Sequence, residues 1–182
     1  MSYWTYRHAE STAPPVQVVG LNMEVLGANT GTSTGYATFV YEPVYNVPPP
    51  VADNVWQRWD AYRGGNAIWW STRTISVGGV PVICSPSDGS PLCVNKYYLP
   101  WSAFVAANPN AVILSYGVNQ GSGSPGLIDN TDALRIGVGN DNWIYDFEPC
   151  GHGHGDEHGH GHDHGHGHDH GHGKGCEKPK HH

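Results

Sequence analysis

Charged residues are scarce in this sequence, and long apolar runs are missing. Asp, Glu, Lys and Arg make up 14% of the 182 residues, and 16 acidic against 9 basic side chains give a net charge of −7. So few basic residues argue against a nucleic-acid partner. No stretch approaches the roughly 18 apolar residues of a membrane-spanning helix, so we expect no membrane span. The opening MSYWTYRHAE also lacks the basic start and apolar core of a signal peptide.

Two further functional signatures are missing as well. The sequence contains no P-loop and no H-E-x-x-H motif. Two carboxylates that lie close together can hydrolyse glycosides, and the candidates on or beside predicted strands are Glu42, Asp60, Asp146 and Glu148. Carboxylates on strands more commonly pair with arginines. We therefore predict that the protein is not an enzyme.

The residues that are plentiful favour strands. The chain has seven Trp and ten Tyr with many Gly and Pro, and aromatic and β-branched residues are typical of sheets. Alternation predicts about eight strands and one short helix that begins at Pro100 and ends near Pro109. The predicted strands span 2–8, 16–26, 36–45, 55–62, 68–77, 111–118, 132–138 and 142–148. We predict an antiparallel, jelly-roll-like β-sandwich over residues 1–149 and a disordered His/Gly-rich tail over 150–182.

The four cysteines predict disulfides. Cys84 and Cys93 flank the turn-rich octet SPSDGSPL, which suits a bridge that closes a hairpin. Cys150 and Cys176 bracket most of the tail, and they could pair with each other or across chains. No C-x-x-C pair indicates a zinc knuckle or a redox site. Disulfides favour a secreted or cell-surface protein.

Several motifs together resemble a family of secreted bacterial β-sandwich domains. The stretches that carry the resemblance are FVYEPVYN (39–46), VWQRWDAYRGG (55–65), WWST (69–72), FVAANPNAVIL (104–114), DALRIGV (132–138) and YDFEP (145–149). The resemblance covers about residues 2–149 and implies the sandwich fold, with no catalytic assignment to carry over. Its jelly roll is similar to those of lectins and carbohydrate-binding modules, which is a likeness of fold alone.

Members of that family usually have further strands before the one that SYWTYRH matches. The chain therefore looks shortened at its N-terminus, unless the start is misplaced or trimmed. A sandwich that lacks a strand exposes an unpaired edge and an open groove. Another copy of the chain could fill such a groove with a strand of its own.

The tail carries the clearest functional pattern, with ten histidines in the 23 positions GHGHGDEHGHGHDHGHGHDHGHG. Imidazole is the commonest protein metal ligand. Residues i and i+2 of an extended chain share one side, and the glycines allow neighbouring rings to converge on one ion. We predict capture of Zn²⁺, Ni²⁺ or Cu²⁺ with little selectivity, by His152, His154, His158, His160, His162, His164, His166, His168, His170 and His172.

Two further sites are candidates. Exposed aromatic rings stack on sugars, and Trp56, Tyr62 and Trp70 form the candidate carbohydrate platform. The oxygen-rich stretch with Asp129, Asn130 and Asp132 could hold Ca²⁺, although such residues also cap turns.

These patterns favour an extracellular, non-catalytic protein whose tail captures divalent transition metals. One alternative is a carbohydrate-binding module, with polysaccharide as its partner and the tail as a tether. Another is a filament subunit that assembles with copies of itself through an open sheet edge, with metal cross-links between tails.

Overall fold

The computed structural model describes residues 1–46, 50–121 and 124–147, and within them the fold is all-β. The described chain forms eleven strands and one α-helix. The strands are β1 (Ser2–Arg7), β2 (Gly20–Leu26), β3 (Ala37–Tyr41), β4 (Trp56–Asp60), β5 (Ile68–Ser71), β6 (Ile75–Val77), β7 (Val80–Ile83), β8 (Leu99–Pro100), β9 (Val112–Asn119), β10 (Asp129–Val138) and β11 (Asp141–Tyr145). The helix α1 is Trp101–Ala107. The ten tail histidines, Glu148, Cys150 and Cys176 lie outside the described residues.

The strands form two antiparallel sheets and a separate hairpin. The four-stranded sheet has the order β11-β10-β1-β4, and the five-stranded sheet has the order β8-β5-β3-β2-β9. Strands β6 and β7 pair only with each other. The predicted sandwich-like, all-β class is confirmed. The strand number exceeds the predicted eight because the run 68–77 divides into β5 and β6, and because the short strands β7 and β8 carry Pro81 and Pro100.

The core lies between the two sheets and is rich in aromatic rings. Tyr3 of β1 meets Tyr41 of β3 edge-on, with ring centroids 6.2 Å apart. The buried Tyr3 hydroxyl donates to the carbonyl of Val19 at 2.9 Å, and burial raises the pKa of Tyr3 well above its usual range. Trp59 and Trp69 are also buried, which matches the inward faces that alternation predicts for β4 and β5.

The indole nitrogens of the core tryptophans have partners inside the sandwich. Trp59 Nε1 donates to Thr5 Oγ1 at 2.9 Å, and Trp69 Nε1 donates to the carbonyl of Ala61 at 3.0 Å. Buried N–H groups that lack a partner are costly. These two bonds therefore allow large rings to fill the core without an orphaned donor.

The helix lies where Pro100 predicts it. Its Phe104 is fully buried and packs on Phe39 with centroids 4.9 Å apart, and its Trp101 ring lies 5.0 Å from Trp69. The helix ends before Asn108, whose side-chain amide donates to the carbonyl of Phe104. The α1 segment thus adds its apolar face to the same core.

One predicted disulfide is present in the described chain. Cys84 and Cys93 are bonded, with their Cα atoms 5.6 Å apart. The bridge joins the end of the β6–β7 hairpin to the loop that leads to β8. The β6–β7 hairpin is therefore tied covalently to the chain that follows it.

The first strand has neighbours on both sides. β1 pairs with β10 on one side and with β4 on the other, so an unpaired edge does not lie at the SYWTYRH strand. Among the described strands, β4 and β11 form the edges of the four-stranded sheet, and β8 and β9 form those of the five-stranded sheet.

Candidate functional site: the outer face of the four-stranded sheet

The three residues predicted as a carbohydrate platform do not come together. Trp56 lies on the outer face of β4 and is 44% exposed. Trp70 lies on the outer face of β5 in the other sheet, where its Nε1 donates to Glu42 Oε2 at 2.9 Å. Tyr62 follows the end of β4 and is 48% exposed. Trp56 and Trp70 therefore face opposite sides of the sandwich.

The structure instead places other aromatic side chains beside Trp56. Tyr6 of β1 is paired with Trp56 across the strands, and their ring centroids are 5.6 Å apart. The His8 ring also packs against Tyr6, with ring centroids 5.0 Å apart. Trp4 is 37% exposed on the same face of β1, because Tyr3 and Thr5 point into the core. These residues form a short aromatic row on the outer face.

Polar side chains continue that face around the aromatic row. Trp4 lies between Arg58 of β4 and Asp132 of β10 in the strand register. Tyr6 lies between Trp56 and Asn130, whose side-chain amide is 3.1 Å from His8 Nε2. We call this surface of β10, β1 and β4, with Trp4, Tyr6, Trp56, Arg58 and Asn130, the outer sheet face.

A polar groove of about 490 Å³ adjoins the row at the Met1 end of the sheet. Its lining includes Ser2, Arg58, Asp60, Arg135 and Asn142. Ser2 is paired with Asp60 on one side and Arg135 on the other. The small Ser2 side chain thus leaves a trough between longer charged side chains.

The charged side chains of the groove differ in how many hydrogen bonds they make within the fold. Arg135 Nη2 donates to Asn142 Oδ1 at 3.2 Å. Asp60 Oδ1 accepts from the backbone N–H groups of Tyr62 and Arg63, each at 2.9 Å. Burial works to raise the pKa of Asp60, but these two N–H groups, together with the positive charges of the N-terminus and Arg58, outweigh it, and the pKa lies below its usual range. Arg58 is exposed and has no hydrogen-bond or ion-pair partner within the described part of the chain.

Glu42 and Asp60, two of the four carboxylates considered for hydrolysis, have structural partners. Glu42 accepts from Trp70 beside the five-stranded sheet, and Asp60 holds the turn after β4. Glu148 lies outside the described residues, and Asp146 follows β11. Glu42 and Asp60 thus have structural roles in the described chain.

The two carboxylates of the predicted calcium stretch accept from backbone N–H groups. Asp129 uses one carboxylate oxygen for the N–H of Tyr6 and the other for the N–H of Val19, each at 3.1 Å. Burial raises the pKa of Asp129 above its usual value, against the opposing effect of those bonds. Asp132 accepts from the N–H groups of Ala133 and Phe147. Both carboxylates lie at the start of β10 and accept mainly from N–H groups of other segments, so they do not cap a local turn.

Residues 1–46, 50–121 and 124–147 hold one group of side chains with metal-ligand spacing. It consists of Cys84, Asp88 and Cys93, whose ligand atoms lie within 4.8 Å of one another. The two sulfurs are bonded to each other, so neither is a thiolate. Asp88 accepts from the hydroxyl of Thr74 and the N–H of Ser90. In the disulfide form this cluster is not a metal site.

An apolar cleft of about 210 Å³ adjoins the polar groove, with which it shares Met1 and Tyr62, and is also lined by Met23, Ile113 and Ile136. Beside it, β10 faces β9, since the Tyr116 hydroxyl donates to the carbonyl of Arg135 at 3.2 Å. β11 continues the sheet past β10, while β9 is the last described strand of the sheet opposite. The inner face of β11 therefore extends beyond its covering sheet.

No protein-family model matches this chain, and neither a curated protein nor a solved structure does so. No helix in the described residues is both long and apolar enough to cross a bilayer. Functional inference therefore depends on the residues themselves.

Proposed function

We propose that the protein is an extracellular, non-catalytic binding protein whose histidine tail captures divalent transition metals. The observation that carries the proposal is the density of the repeat, ten histidines in residues 151–173. A site needs three or four imidazoles at Zn–N distances of about 2.0–2.1 Å, so ten rings suffice for roughly two or three ions. The Cys84–Cys93 disulfide is compatible with an oxidising compartment.

The chemistry of the repeat explains both its capacity and its weak selectivity. Glycine between the histidines removes the steric bar to bending, so neighbouring rings can turn toward one ion. Asp156, Glu157, Asp163 and Asp169 add negative charge that gathers cations. The Irving–Williams order then governs which available metal is held.

Native mass spectrometry of the full chain tests this proposal. After chelator treatment, zinc is titrated into the wild type and into a variant with all ten repeat histidines changed to asparagine, which keeps every glycine and carboxylate. We expect two or three tightly held zinc ions on the wild-type monomer and none on the variant. Equal zinc counts on the two proteins would refute the proposal. The same spectrum counts the disulfides, because a second bridge lowers the mass by two further hydrogens.

Self-assembly is a second candidate function, favoured by the uncovered face of β11. Leu134 is buried, and its strand partner Tyr145 lies on the same inner face but is exposed. Ile136 is likewise paired with the exposed Trp143, and the exposed Ile113 of β9 lines the adjoining cleft. Another copy that contributed a strand next to β9 would cover these side chains.

Light scattering in chelator separates this candidate from metal capture. An assembling chain elutes as oligomers before any metal is added, and Trp143→Ser on the inner face of β11 reduces their mass. Ile144→Ser, on the outer face of the same strand, is the matched control and leaves it unchanged. A wild-type monomer at all concentrations would exclude assembly through this edge.

A further inference from the structure

We propose that the outer sheet face binds a polysaccharide that contains uronic acids. This site is separate from the metal-binding tail and adds a second ligand. It stands on three features of one surface: exposed tryptophans on regular strands, an exposed arginine with no hydrogen bond or close ion pair among the described residues, and a groove of ligand size beside them. Each feature supplies one part of the recognition of an acidic sugar.

The aromatic row supplies stacking surface. Trp4 and Trp56 are large apolar side chains on a face whose other strand positions are polar, and burial in the core does not explain them. The Tyr6 ring packs against Trp56 at 5.6 Å and so holds that indole in place. An indole fixed on a strand presents an apolar surface with little loss of conformational entropy on binding. The apolar face of a pyranose ring is a suitable partner for it.

The arginines supply the site for the carboxylate. Arg58 is adjacent to Trp4 in the register, and Arg135 lies across Ser2 in the same groove. Arginine matches a carboxylate with two parallel hydrogen bonds. The groove volume of about 490 Å³ falls within the roughly 300–1,000 Å³ of typical ligand sites. Two arginines against the single carboxylate of Asp60 leave the groove positive.

The combination selects a uronate over other ligands. A neutral sugar would stack on the tryptophans and leave the arginine groove unused. A nucleic acid would meet a domain whose first 149 residues carry six basic and eleven acidic side chains, and such a balance repels a phosphate chain. A uronate unit carries one carboxylate and one apolar ring face on the same sugar, and Trp4 and Arg58, paired in the strand register, offer one partner for each.

The test uses short oligogalacturonates and their methyl esters, which share a backbone and differ in the free carboxylate. Binding is measured by calorimetry on the full chain near pH 7.5 with chelator present, so that the tail holds no metal and its histidines are largely neutral. We expect Arg58→Gln to weaken binding of the acid about tenfold, the usual effect of losing a charged hydrogen bond. Arg73→Gln removes the same charge from an exposed arginine after β5, and we expect it to leave binding unchanged.

Two further variants extend the test. Trp56→Ala should abolish measurable binding, and its urea midpoint reports whether the sandwich is intact. Asp60→Asn keeps the oxygen that accepts from Tyr62 and Arg63 and removes the negative charge from the groove. We therefore expect it to bind the acid severalfold more tightly, a gain that damage to the fold does not produce.

Three results would overturn the proposal: no binding of oligogalacturonate, equal binding of acid and ester, or equal effects of Arg58→Gln and Arg73→Gln. The variant with ten asparagines in the tail should bind the acid as the wild type does in chelator. If it loses that binding, the tail is the glycan site and the outer sheet face is not. The zinc titration is independent of all these outcomes, so the two proposals can fail separately.

Discussion

We expect substitution of Arg7 to have a large effect on stability, because its charged side chain is buried at the end of β1. The side chain is 3% exposed and pairs with Asp53, which is 42% exposed. Its Nε donates to the carbonyl of Gln17 at 3.1 Å, and its Nη2 donates to the carbonyl of Ala13 at 2.8 Å. The guanidinium thus holds the segment that connects β1 to β2.

Replacing Arg7 by methionine keeps most of the apolar stem and removes every donor. Asp53 regains water because it is half-exposed, so the main cost comes from the two carbonyls that lose their partner, at about 1–3 kcal/mol for a buried acceptor. We expect Arg7→Met to lower the free energy of unfolding by about 3 kcal/mol, a large share of the roughly 5–15 kcal/mol of a typical domain. Asp53→Asn retains an acceptor for Arg7 and should cost about 1 kcal/mol.

Urea unfolding followed by tryptophan fluorescence measures these differences. Arg73→Met is the matched control, since Arg73 is exposed and should tolerate methionine with little change. The account of Arg7 would be refuted if Arg7→Met unfolded at the same urea concentration as Arg73→Met. It would also fail if Asp53→Asn cost more than Arg7→Met, because the carbonyls would then not be the main partners.

Three further predictions follow from single features. The paired change Cys84→Ser and Cys93→Ser should lower the free energy of unfolding by about 2.5 kcal/mol, the loop-entropy value for this separation; a loss near zero in urea unfolding would contradict it. The lowered pKa of Asp60 means that its charge stabilises the fold above its usual pKa and that this contribution disappears as the pH falls through the folded value. The free energy of unfolding of Asp60→Asn should therefore fall less than that of the wild type between about pH 5 and pH 2. An identical fall in both proteins, measured by urea unfolding at each pH, would contradict this prediction. Zinc affinity of the tail should fall steeply from about pH 7.5 to pH 5 as the histidines protonate near 6.5, whereas a flat affinity in calorimetry would exclude histidine ligation.

Local patterning predicted the strands well and their ends less well. The predicted strand 16–26 begins only at Gly20 in the structure. Val18 and Val19 are buried without belonging to a strand, because the Tyr3 hydroxyl binds the Val19 carbonyl and Asp129 accepts the Val19 N–H. Side chains distant in sequence thus replace the neighbouring strand that alternation would imply. The predicted strand 36–45 likewise ends at Tyr41, since Pro43 opens a 3₁₀ turn.

The outer sheet face depends on the pairing of strands, which alternation within one strand does not predict. Alternation placed Trp56 and Trp59 on opposite faces, and the structure agrees. It did not say that β1 lies between β4 and β10, a pairing across more than half of the chain. The signal for Trp4 and Tyr6 was present, because SYWTYRH puts both on one side. Only the pairing of β1 with β4 shows that this side lies beside Trp56.

If both proposals hold, the tail and the outer sheet face bind ligands of opposite charge, and one uronate polymer carries groups for both. A uronate chain binds divalent metals through its carboxylates, so zinc held by the tail should add affinity for the same oligomer that Arg58 recognises. We expect wild-type affinity for a short oligogalacturonate to be higher with zinc than with chelator. The variant with ten tail asparagines should lose that zinc-dependent gain and keep its affinity in chelator, whereas Arg58→Gln should lower affinity in both conditions. If zinc raised the affinity of the asparagine variant as much as that of the wild type, the metal would be acting on the polymer alone, and the two sites would be independent.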